Sequence, residues 1–406
     1  MSAHSTSAPR DHKPFTGGSR IISIGLLAAA VGLGSTGVRA LIGGEEGTRI
    51  ALFSYLVAFA YWVGLSLAGL VLLMIFHAAK ARWIIVFRRI VEVIAGSIVP
   101  FAILFIPIAL GLKLLYPWAA PSEEMTEEQL HLIHHRAVWL NPSFFFVRAA
   151  IYFGLWILIS RLLLAWSTRQ DTDGAARWTK KSWTLGSGGL PAVALTLTFA
   201  AMDWYMSLAT EWFSSMWGVY YFAGSFVGVF AVIVIVLVYL SQTDAFDGVL
   251  NTAHFLSLGK FLLAFTCFWA YIAFSQYMLV WIANLPDTIP WLLLRQKQGW
   301  QYLGISLIAG HFLVPFFLLL SRKRKMNPTA LSMIALWILF MHYLDLYWMI
   351  MPQVRPDHVW LGWSNVTAFV GIGGFAVAFA VYTMRGRYLL PVGDPFLSDS
   401  LEYSKT

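Results

Sequence analysis

Ten polar side chains interrupt long apolar stretches of this chain, and their depths fall into three groups. His77, Glu92, His254 and Lys260 lie near one end of their stretches. His311 and His342 lie near the middle, and Asp203, Gln276, Tyr277 and Asp345 lie near the other end. Ionisable groups are costly in hydrocarbon, so each is a functional candidate. Protons cannot cross roughly 30 Å of hydrocarbon without hydrogen-bonding groups or water. The three groups therefore read as the inner, middle and outer sets of a proton path. Histidine can both accept and donate a proton, and His342 shares a helix face with Asp345 at i, i+3. Structural ion pairs would leave the same trace. Arg88 stands at i−4 to Glu92 on one face, which also describes an interfacial ion pair. Arg148 is a candidate partner for Asp203 or Asp345. His311 and His342, at similar depth, could equally be hydrogen-bonded bundle histidines, or the two ligands of a haem b. Gln276 and Tyr277 follow Ser275 and precede the helix-ending run Asn284-Leu285-Pro286-Asp287. A polar cluster beside a chain break often lines a cavity, and packing alone explains it as well.

These residues need helices in lipid to hold them. The chain has 406 residues, 59% hydrophobic and only 12% charged, with a mean hydropathy of +0.69. A soluble domain carries about 25% charged residues. The 16% aromatic content, with 19 Trp, suits two interfacial belts. A helical span needs about 20 apolar residues, and ten candidates appear: 21–43, 51–77, 91–116, 143–166, 186–207, 216–240, 258–282, 300–321, 328–351 and 362–383. The expected fold is an all-α integral membrane bundle over 21–383, with a polar N-terminal tail (1–20) and a C-terminal tail (384–406). Gly371, Gly373 and Gly374 fit close helix packing. The longest connection, about 117–142, collects Glu123, Glu124, Glu127, Glu128, His131, His134 and His135.

Charge sets the expected orientation. One side gathers 18 Lys and Arg, among them Arg88, Arg89 and the run Arg322–Lys325, against 5 on the other (Arg49, Arg136, Arg295, Lys297 and Arg355). The positive-inside rule then puts both termini in the cytoplasm. It also accounts for the net charge of +8 without nucleic acid. No short apolar stretch with a cleavage site precedes the first span, so no cleavable signal peptide is expected. The single cysteine, Cys267, excludes a disulfide framework, a CxxCH haem c site and a self-contained iron–sulfur cluster.

Two stretches carry a family resemblance: FAAMDWYMSLATEWFSSMWGVYYFAGSF (199–226) and FWAYIAFSQYMLVWIANLPDTIPWLLLR (268–295). They resemble the membrane subunits of alternative complex III, a quinol:electron-acceptor oxidoreductase, within the NrfD and polysulfide-reductase type. The resemblance covers all ten spans. Of the two ten-helix subunits of such complexes, ActC and ActF, the length, short tails and SQYMLVWIANLPD look more like ActF, the second quinone-binding subunit. The resemblance implies a bacterial inner-membrane location. It implies an ActC-like subunit and haem c and iron–sulfur subunits as neighbours, which would supply the redox centres. It implies proton conduction, and allows quinone binding, in this chain. A secondary transporter and a purely structural anchor for peripheral redox subunits are the alternatives. No pair of broken, inverted-repeat helices speaks for the transporter.

Overall fold

The computed structural model describes residues 13–404, apart from 124, 244, 245, 247 and 287. Glu124 and Asp287, named above, and Arg10 and Lys405, which are among the 18 basic residues of the charge count, lie outside the described residues. Among the described residues, ten helices are long and apolar enough to cross a membrane and no strand occurs, so the protein is an all-α, multi-pass membrane protein. They are α1 (Ser19–Ile42), α2 (Gly44–Ala78), α3 (Ile85–Leu110), α4 (Pro142–Asp173), α5 (Ala176–Leu208), α6 (Trp217–Leu240), α7 (Thr252–Ala283), α8 (Trp300–Leu320), α9 (Pro328–Gln353) and α10 (Trp363–Met384). An even number of crossings leaves both termini at one end, here called the basic end; the other is the distal end.

Local chemistry sets many of the boundaries. Asn141 and Asn327 each stand before a proline, and their side chains accept from the amides of Phe144 and Ala330. This is an N-cap followed by a proline whose missing N–H costs nothing there. Asn284 ends α7 in the left-handed conformation (φ 48°), so the expected chain break is real. Helix α8 carries one turn of π-helix, Ile308–Leu313, just before Pro315. Proline removes one ladder donor, and Trp337 of α9 donates its indole N–H to the Gly310 carbonyl in that turn (2.7 Å).

The packing has an internal order. Helices α2–α5 form one four-helix set and α6–α9 another, joined through α2 against α6 and α9 and through α5 against α6. The two sets run in the same direction. Their fourth helices carry matching stretches, Met202-Asp203-Trp204-Tyr205 and Leu344-Asp345-Leu346-Tyr347, with each acid toward the distal end. No repeat was visible in the sequence at short period, because this one spans four helices. Helices α1 and α10 pack on α2 and on each other. Where they cross, a Cβ on Gly32 would lie 2.5 Å from the Thr367 carbonyl oxygen, and one on Gly25 would lie 2.7 Å from that of Gly374. Only glycine permits backbones this close.

The residues after α10, expected as a tail, fold back onto the basic end. Ser400 is fully buried; its hydroxyl donates to the Trp83 carbonyl (2.8 Å) and accepts from the Val86 amide (3.2 Å). Asn251 donates to the Tyr403 carbonyl, and the Tyr403 ring stacks on Trp83. A segment of the last residues thereby bridges α3, of the first set, and α7, of the second.

Candidate functional site

The two matching acids have different surroundings. Asp203 is 1% exposed and accepts four hydrogen bonds. Arg148 supplies two, Nε to Oδ2 at 2.8 Å and Nη2 to Oδ1 at 2.9 Å. The Tyr152 hydroxyl and the Trp139 indole N–H supply the others, each at 2.9 Å. Arg148 gives a third bond to the Trp139 carbonyl and lies over the Trp139 and Phe144 rings. Of the two partners open to Arg148, it takes Asp203. The carboxylate is thus bidentate, paired with a cation and filled at its acceptor sites.

Asp345 has no cation. It is equally buried, and its two oxygens accept one neutral donor each, the Tyr220 hydroxyl (2.6 Å) and the Trp269 indole N–H (2.9 Å). Neither charge state is pinned by a salt bridge. Around it stand His342 and His311, both fully buried. Their ring centroids are 6.3 Å apart, and His311 packs on the Trp269 ring at 4.0 Å. All four imidazole nitrogens lack a hydrogen-bond partner among the described residues. Buried polar atoms are normally partnered by protein or ordered water, and these four have no protein partner among the described residues. Gly224 of α6 faces both groups: a Cβ there would lie 2.9 Å from His342 Nδ1 and 3.4 Å from Asp345 Oδ2. The π-turn of α8 is what carries His311, and such turns concentrate at functional positions.

The basic end holds a different construction. Glu92 pairs with Arg88 as the spacing suggested (3.1 Å), but also lies 3.4 Å from Arg89. Arg88 continues to Asp394 and Arg89 to Asp171, each at 2.5 Å. All five side chains are buried. Arg88 and Arg89 therefore answer carboxylates inside the fold and leave the loop-charge count; a strong asymmetry persists without them. His254 serves the fold directly. Its Nδ1 accepts from the Asn251 amide, completing the cap of α7, and its Nε2 meets the Ser400 carbonyl at 3.1 Å. Those contacts assign the ring proton to Nε2. His77 is buried against Gly186 of α5. Lys260 is exposed, and Tyr277 is 45% exposed on the outer face of α7. Gln276 is buried and accepts from Ser214.

The structure thus gathers Asp345, His311 and His342 in one place, and separates Asp203 and Arg148 from them into the other helix set. Sequence reading overlooked Tyr220 and Trp269, which are aromatics in aromatic-rich spans and carry no distinguishing signal. It also overlooked Arg295, counted above as a loop charge. Arg295 is 1% exposed and stacks on Trp291 at 3.5 Å. The i, i+4 spacing of an aromatic and a cation was the available clue. Asp394 and Asp171 are joined to Arg88 and Arg89 across 306 and 82 residues, beyond any local pattern.

No family model matches the chain, and no curated protein sequence matches it.

Proposed function

We propose that this chain is a membrane subunit of a respiratory quinol:electron-acceptor oxidoreductase of the alternative complex III kind, and that its own contribution is a proton path through α6–α9. The reading puts both termini in the cytoplasm of a bacterial inner membrane. Redox centres are supplied by haem c and iron–sulfur subunits, beside an ActC-like partner. The observation that supports the proton path most is Asp345. It is a buried carboxylate without a counter-cation, one helical turn from a histidine, with a second histidine alongside. Such a set can take up and release a proton without breaking an ion pair. Protons would pass between Asp345 and the His342–His311 pair, with Tyr220 as a hydroxyl neighbour on the distal side. Asp203, locked to Arg148, takes a supporting role in this scheme.

The test uses the assembled complex in vesicles. Asp345→Asn and His342→Ala should each lower proton translocation severalfold while the complex still assembles. Assembled mutant complex that moves protons at the wild-type rate refutes the path.

A further inference from the structure

The cleft between α7 and α8 has walls of one kind and a floor of another. It encloses about 630 Å³ and opens sideways past Phe274, Ile305 and Ile308, each 60–62% exposed and apolar. Lipid chains are the natural neighbours of such a mouth. The far end holds Arg295 and Trp348. Three of the five guanidinium N–H groups are spent on backbone carbonyls: Nη1 on Trp291 (2.7 Å), Nε on Trp348 (3.1 Å) and Nη2 on Met349 (2.6 Å). Two donors are left over. Among the described residues, no carboxylate lies within ion-pair distance of Arg295. The buried Trp348 indole N–H, on the same cleft, has no partner either.

A buried cation without a counter-charge is expensive. Burial pushes the Arg295 guanidinium well below its ordinary value, yet a guanidinium keeps its proton at any physiological pH. The charge stays, and an anion would offset it. Depth narrows the choice. Arg295 sits against the carbonyls of the last turns of α9, where the spans end, which is the level of lipid head groups.

The geometry points to a bound phospholipid: phosphate oxygens on Arg295 and the Trp348 indole, and an acyl chain running down the cleft along Ile305, Ile308 and Phe312. This goes beyond the proton path and does not depend on it. Arg295 also closes the end of α9 with its carbonyl bonds, and that role by itself would need no ligand. The test must therefore separate the two.

The full-length protein, purified with whatever it assembles with, is washed in detergent and measured by native mass spectrometry and lipid phosphorus. Wild type should keep a tightly held phospholipid that Arg295→Gln lacks. Gly304→Leu is the second variant. Gly304 lines the cleft, and a Cβ there makes only an ordinary 3.5 Å contact with Trp348. A leucine would fill the cleft and leave the carbonyl bonds of Arg295 intact, so it should lose the lipid even if Arg295→Gln fails to fold. Wild type without such a phospholipid, or Gly304→Leu that still retains it, overturns the proposal. A quinone recovered in place of the phospholipid overturns it too, because a neutral head leaves the charge of Arg295 unanswered.

Discussion

At the scale of single residues, the contrast between Asp203 and Asp345 decides what each substitution should do. Both read the same way in sequence, as an acid near the end of an apolar span beside a tyrosine. Their surroundings separate them. Asp203 shares two hydrogen bonds with Arg148, and removing one partner of a buried pair strands the other charge. Such losses run to about 3–5 kcal/mol. Arg148→Gln and Asp203→Asn should therefore lower thermal stability in detergent sharply. The joint replacement Arg148→Met with Asp203→Leu should recover part of the loss, measured in the same melts. If Asp203→Asn instead melts like wild type and only proton movement falls, the acid is functional. Gly224→Ala tests the other acid. Its methyl would press on His342 Nδ1 at 2.9 Å, so proton translocation should fall with little change in assembly. Burial of Asp203, Asp345, His311 and His342 was legible, because charge and imidazole are costly in lipid. Which acid is paired was not, because Arg148 lies 55 residues before Asp203 and no local spacing links them.

At the scale of helices, composition and run length were enough to find the ten spans, and the run from Asn284 to Asp287 marked the end of α7. Long apolar runs are a strong signal because the lipid imposes it over every turn. Packing partners were harder to read. The glycines of α10 suggested close contact, but Gly371 and Gly374 meet α1, the helix farthest from α10 in sequence, while Gly373 meets Trp62 of α2. Gly32→Val should wedge that crossing apart. Overpacking of this kind costs about 1–3 kcal/mol, and α1 should then become the first part of the chain cut by protease, read from the fragments. A variant as protease-resistant as wild type would show that the crossing tolerates a branched side chain.

At the scale of the molecule, the basic end is tied together by the last residues of the chain. Nothing in the run from Leu389 to Tyr403 looked like a core element, since it has neither helical periodicity nor length. Its burial comes from fitting a surface that only the assembled helices create. Truncation after Arg387 removes Asp394, Ser400 and Tyr403 together. Arg88 then keeps Glu92 alone, and α7 loses the contacts at Asn251, His254 and Ser257. A cysteine at Ser257, in a Cys267→Ser background, should resist a water-soluble maleimide in the full chain and react in the truncated one. Equal labelling in both would mean that the segment covers nothing.

The π-turn in α8 has a consequence for how variation acts on His311. A π-turn holds one residue more than the α-helix it interrupts, so it behaves as a single-residue insertion absorbed in place. Deleting Ala309 would let the turn close to ordinary α-helix while the two halves of α8 keep the faces they present, so that only the residues of the turn itself are redirected. Every side chain would keep its identity, and His311 would leave its seat on Trp269. The orientation of this histidine is set by a residue count, and a scan of point substitutions passes over that dependence where one codon removed would expose it.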